Sequence, residues 1–81
     1  MERFKYIYFE NVGLVIFEAG NNHQRMASLI RDTPISAGFI FLPGKNACNN
    51  EAHCFGRSES LNLDSREEDT RLLRIKLNNK Y

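Results

Sequence analysis

The sequence predicts an α+β fold of order ββαββα, in which a four-stranded, mainly antiparallel sheet carries two helices packed on one face. Three observations predict it. Two segments pass from strand-like patterning, through a short polar link, into patterning of helical period. A further strand candidate precedes each of these units. The units also align: with Asn22 laid on Ser65, Gly13 falls on Gly56 and Leu29-Ile30 on Leu72-Leu73. The likeness supports the architecture without requiring a duplication. All 81 residues read as one domain with halves of about 1–33 and 34–81.

The first strand is Phe4 to Phe9, rich in aromatic and β-branched residues. Glu10-Asn11-Val12-Gly13 is a turn signal, because Gly13 tolerates the positive φ that closes such a turn with a bulge. Leu14 to Phe17 then returns antiparallel. Asn22 is the expected N-cap of a helix, and His23, Met26, Ala27 and Ile30 recur at i, i+3, i+4 and i+7 on one face, widened by Leu29. That helix should stop near Asp32, since Thr33 precedes Pro34 and a residue before proline is pushed out of the helical region.

Ile35 to Leu42 is the third strand, with Gly38 in its middle and Pro43-Gly44 at its end. A polar, Asn-rich link, Lys45 to His53, leads into a fourth strand from Cys54 to Leu61. One face of that strand is small (Cys54, Gly56, Ser58, Ser60), which would let a helix approach closely. Ser65-Arg66-Glu67-Glu68 reads as a capping box with Ser65 as N-cap, and Leu72, Leu73 and Leu77 as the buried stripe of the second helix. Its acids lie in the first turn and Arg71, Arg74 and Lys76 later, matching the helix dipole.

Composition narrows function mainly by exclusion. The formal net charge is +1, so no strong field steers the chain to nucleic acid or an anionic membrane. No apolar run approaches the roughly 18 residues of a membrane span. Met1-Glu2-Arg3-Phe4-Lys5 lacks the apolar core of a signal peptide, so a cytoplasmic location with reduced thiols at Cys48 and Cys54 is the expectation.

Candidate chemistry is sparse. Cys48, His53 and Cys54 carry metal-ligating groups, but the Cys-x4-His-Cys spacing suits zinc poorly, and strand neighbours His53 and Cys54 point to opposite faces. His23 has the chemistry of a general base, yet its place on an apolar face suits a ring packed at the edge of the core. Ser58 and Ser60 lack a nucleophile elbow. Pro43-Gly44-Lys45-Asn46 lacks the spacing of a phosphate loop. Glu67, Glu68 and Asp69 resemble paired carboxylates, but the capping box accounts for Glu68, and Glu67 and Asp69 read as a solvated, dipole-matched first turn. No catalytic residue, metal or cofactor is therefore expected, and the chain is read as a non-enzyme.

Ser36-Ala37-Gly38-Phe39, Phe55-Gly56-Arg57-Ser58-Glu59-Ser60-Leu61-Asn62-Leu63 and Ser65-Arg66-Glu67-Glu68-Asp69 together resemble small uncharacterised open reading frames of bacteria and their prophages. The resemblance covers about half the chain and brings no activity, cofactor or catalytic residue with it.

The positive clue lies in the strands. The first three carry apolar residues on both faces, where a half-buried strand would alternate apolar with polar. Two helices on one face would leave the other too apolar for water, and such a patch marks an interface. The expected function is a non-catalytic protein-interaction module, a homodimer or one docked on another protein, with Phe4, Tyr6, Tyr8, Phe39 and Phe41 as candidate interface residues. The alternative is nucleic-acid binding through Arg3, Lys5 and the aromatics of the first strand, which could stack bases.

Overall fold

The computed structural model describes residues 3–42 and 51–78. Their elements run β1 (Arg3–Phe9), β2 (Gly13–Glu18), α1 (His23–Leu29), β3 (Pro34–Phe41), β4 (His53–Phe55), β5 (Arg57–Ser58), β6 (Leu63–Asp64) and α2 (Glu67–Asn78). The four-stranded antiparallel sheet has the order β2-β1-β3-β4, and β5 pairs with β6 in a separate two-stranded sheet. The α+β class and the four-stranded antiparallel sheet match expectation. The element order departs from ββαββα by the added small hairpin.

Gly56 explains that departure. Its φ is +75°, a left-handed conformation that interrupts extended backbone, and a Cβ there would lie 3.0 Å from the Phe39 ring. The expected strand from Cys54 to Leu61 is therefore cut after Phe55. The chain resumes as β5, turns through residues 59–62 with Asn62 also at positive φ, and returns as β6. Gly13 has a positive φ of 93° at the end of the β1–β2 turn, as the turn chemistry requires.

The helices do not share a face. Under α2 lie Tyr6, Leu14, Ile40, Ala52 and Leu73, flanked by Phe4, Tyr8, Ile16, Leu42, Cys54 and Leu77. The opposite side holds Ile7, Phe9, Phe17 and Ala37, flanked by Met26 and Ala27 of α1, by Ile30 just after it, and by Leu61 and Leu63. The expectation of two helices on one face is corrected accordingly. Strands apolar on both sides need a cover on both sides, and each helix supplies one.

Local capping differs from expectation by small shifts with definite causes. Asn22 caps α1 as predicted, its side chain accepting from Arg25 N at 2.7 Å. The helix ends at Leu29, before the expected Asp32. Ile30 is already extended, and the Asp32 carboxylate accepts from Asn11 N, Asn11 Nδ2, Val12 N and Thr33 N. Asp32 thus ties the β1–β2 turn to the chain leaving α1. In α2 the cap lies one residue later than Ser65 and Glu68: the Asp69 carboxylate accepts from Arg66 N at 3.0 Å, one half of a capping box, while the Arg66 side chain donates to Asp69 and caps no backbone N–H.

Asp69 is also fully buried, so α2 turns an i, i+4 stripe to the sheet in which Asp69 and Leu73 are buried and Leu77 partly so. Its carboxylate takes a 2.6 Å bond from Tyr6 Oη on β1 and a two-pronged bond from Arg66 Nε and Nη2 at 3.0 and 2.8 Å. The Arg66 guanidinium in turn sits 4.9 Å from the Tyr8 ring centroid. Removing one member of a buried charged pair strands its partners, at about 3–5 kcal/mol. Asp69→Ala should therefore lower stability in denaturant melts by about that amount. Ser65→Ala should cost less than about 0.5 kcal/mol, the scale of changes away from a cap.

Candidate functional site

A row of aromatic rings runs along the α1 side of the sheet, outward from the start of the helix. The register creates it. Phe39 on β3 stands opposite Phe55 on β4, Phe41 stands opposite His53, and Lys5 on β1 stands opposite Phe39. Residues directly opposite on one face are close neighbours. Phe39 and Phe55 stack with centroids 5.9 Å apart, and Phe41 and His53 stack at 5.2 Å. His53 and Phe55, two residues apart on one strand, close the row at 5.8 Å. Phe55 remains 44% exposed and His53 is exposed, because β4 is an edge strand.

The inner end of the row is buried. His23 meets the Phe39 ring edge-on at 5.8 Å and the Phe17 ring edge-on at 5.5 Å. Its Nε2 lies 2.9 Å from Gly38 O, so this nitrogen carries the proton and donates. Lys5 Nζ lies 6.0 Å from the Phe39 centroid and donates to Asn21 O at 2.9 Å. Burial pushes the His23 pKa down; the Gly38 bond opposes the shift, and the Lys5 charge adds to it.

A second polar centre sits under α2, around Asp69. Burial alone would raise its pKa, but the bonds from Arg66 and Tyr6 outweigh burial and hold the carboxyl below its ordinary 3.8. Ser36, buried on β3, lies close enough to favour the charged form without reaching hydrogen-bond geometry. Burial and the Asp69 acceptor together push the Tyr6 phenol up. Burial also pushes the Cys54 thiol up, to about 12, with Asp69 adding to the shift. Asp69, Arg66 and Tyr6 satisfy one another there, Ser36 Oγ has no hydrogen-bond partner among the described residues, and the arrangement joins α2 to the sheet.

The candidate interface residues separate across the sheet. Tyr6 is fully buried, and Phe4 and Tyr8 are partly buried beside it against the α2-side core. Phe39 and Phe41 belong to the aromatic row on the other side. Sequence reasoning missed His53 and Phe55 as their partners, because pairing across strands is invisible without the register. It also missed Asp69, although the i, i+4 spacing to Leu73 and Leu77 was a signal.

His53 and Cys54 alternate on β4 as expected, while Cys48 lies outside the described residues. Ser58 is buried, and its hydroxyl accepts from Leu61 N in the tight turn. Pro43-Gly44-Lys45-Asn46 lies outside the described residues. Among the described residues, no three His, Cys, Asp or Glu side chains gather as a metal site. No described helix is long and apolar enough to cross a membrane. No family model, curated protein or solved structure matches the chain.

Cys54 should react slowly with a thiol reagent near neutral pH, since only the thiolate attacks and its pKa is about 12. Thiol counting before and after denaturation checks this: rapid labelling of Cys54 in the folded protein would contradict it. The Asp69 centre has its own pH signature. Its folded pKa is below the unfolded one, so its stabilisation is present above about pH 3.8 and is lost as pH falls through the lower folded value. Denaturant melts below pH 4 should show that loss in the wild type, and Asp69→Asn should flatten the dependence.

Proposed function

We propose that the chain is a small, non-catalytic interaction module that forms a homodimer through the aromatic row of Phe39, Phe41, His53 and Phe55. The observation that carries this reading is the exposure of apolar rings at an open edge of the sheet. Phe55 is 44% exposed beside the exposed His53, with no helix of the described residues laid over them. Edge strands are natural points of association, and aromatic side chains are enriched at interface cores. The surface is smaller than the sequence suggests, because α1 and the β5–β6 segment cover the other end of that face.

Two features weigh against nucleic acid as the partner. Base stacking needs free ring faces, whereas Phe39 and Phe55, and Phe41 and His53, spend faces on each other. Lys5, one of the two first-strand cations of that alternative, is already bonded to Asn21 O. Enzymatic function has no support in a convergent group of accessible acids, bases and nucleophiles among the described residues. Cys54 and Asp69 face inward, and Asp69 is saturated with donors.

Sedimentation equilibrium at micromolar concentration should give twice the monomer mass for the wild type. Phe55→Lys places a charge on the exposed edge, where it should leave the fold intact and shift the protein to monomer. A monomeric wild type would end the self-association reading, and a Phe55→Lys protein that still dimerises would move the interface elsewhere.

A further inference from the structure

The two helices are held in different ways. α2 has twelve residues and is pinned by a buried, charged network. α1 has seven residues, well short of the roughly 12–15 at which an isolated helix becomes even marginal. It has no acidic residue in its first turn and no basic residue in its last. What docks it is Met26, Ala27 and Ile30, all only partly buried, together with His23, its one fully buried side chain. A helix with so little buried surface belongs to the low-stability end of a fold, where local opening occurs first.

His23 can hold this position only as a neutral ring. It is 4% exposed. From β2 it faces the Phe17 ring, and from β3 the Phe39 ring and the Gly38 carbonyl. From β1 it faces the charge of Lys5. Arg25, on its own helix, is exposed, and no carboxylate of the described residues acts on it. A second ring proton would put a cation into an apolar seam beside another cation, with one carbonyl already taken by Nε2. Release of the helix into water removes that conflict.

We propose that His23 is an acid-operated latch, whose protonation undocks α1 from the sheet and uncovers Phe17, Ile7 and the inner end of the aromatic row while α2 stays in place. The two helices then respond to acid in separate ranges. The His23 contribution is present above the unfolded histidine value of 6.5 and is lost as pH falls through a lower folded value. The Asp69 contribution is present down to about pH 3.8 and is lost only at lower pH. Loss of the His23 contribution thus begins at a higher pH than loss of the Asp69 contribution, so α1 opens before α2 as pH falls. The newly uncovered rings adjoin the proposed dimer surface, so mild acid should strengthen association; that consequence rests on the self-association reading, and the latch itself does not.

Hydrogen exchange on the dilute, intact protein tests the latch. Protection factors, corrected for intrinsic rates, are compared at about pH 7.5 and about pH 5, a span that brackets histidine titration. Protection in residues 23–29 should fall, by up to about tenfold for each unit of pH below the histidine value, the limit that uptake of one proton sets. Protection in residues 67–78 should change little. His23→Gln, which keeps a neutral donor there, should abolish the fall. In the wild type, the midpoint of the His23 Cε1 proton resonance should coincide with the midpoint of lost protection, which keeps the test decisive if the variant does not fold. Constant protection in residues 23–29, a fall that survives in His23→Gln, or two midpoints that differ would overturn the proposal. Sedimentation at the same two pH values is read separately: α1 opening without a rise in mass retains the latch and removes only the link to association.

Discussion

The architecture depends on one buried carboxylate. Asp69 lies at the start of α2 and is reached by β1 through Tyr6 and by its own helix end through Arg66. It also lies close enough to Ser36 on β3 and Cys54 on β4 to act on both. A chain this short has a thin apolar core, and a buried ion fixes geometry in a way that apolar contact does not. The carboxylate accepts only from donors placed correctly, so it sets the rotation of α2 about its axis and the depth of its first turn. Thr70, the next residue, then meets Cys54 N at 2.9 Å. The close approach needs a gap in the sheet surface, which Gly38 provides. A Cβ there would stand 2.5 Å from Phe55 O and 3.2 Å from the Ser65 side chain. A methyl group at position 38 would thus strike the backbone of β4 and the chain entering the helix at once.

The placement of the two helices follows from the strand order. β2 and β3 are both antiparallel to β1 and lie on either side of it, so they run parallel to each other. The link between them must cross β1, and α1 is that crossover. Crossovers between parallel strands of one sheet are almost always right-handed, which commits α1 to one face. The second helix then takes the face that remains. The sequence carried a trace of this result: Tyr6 and Ile7, Leu14 and Val15, and Phe39 and Ile40 give the first three strands apolar residues on both sides. That pattern is equally compatible with a naked face closed by a partner, and the strand order needed to choose between them is not a local property of the chain.

Much of the local structure was legible. The β1–β2 hairpin, the Gly13 turn, the Asn22 cap and the apolar stripe of His23, Met26, Ala27 and Ile30 all rest on interactions between residues close in sequence. Illegible features share a different origin. Gly56 breaks the fourth strand because its φ is positive and the Phe39 ring occupies the space a side chain would need. Asp32 ends α1 early because it is recruited by a turn some twenty residues back. Asp69 resembled one more acid in a dipole-matched first turn, and its burial comes from Tyr6, sixty-three residues away. The aromatic row has the same character, since Phe39 and Phe41 become part of a site only when β4 brings Phe55 and His53 opposite them. What the sequence withheld was in each case a contact made at long range.

The two sides of the sheet differ in kind as well as in content. Under α2 the Asp69–Arg66 pair is charged and saturated, and its neighbours Tyr6 and Cys54 are driven toward their neutral forms by the same burial. Under α1 the polar group is a neutral histidine with one bond, wedged among rings and facing a lysine. An ion that is fully paired when charged resists release, because opening would strand its partners. A base kept neutral by burial invites release, because water is the better solvent for its charged form. The exposed rings of Phe55 and His53 continue directly into the releasable side through Phe39. The proposed association surface and the proposed latch therefore share one continuous row of aromatic contacts, while the buried charged network ties α2 to the other side of the sheet.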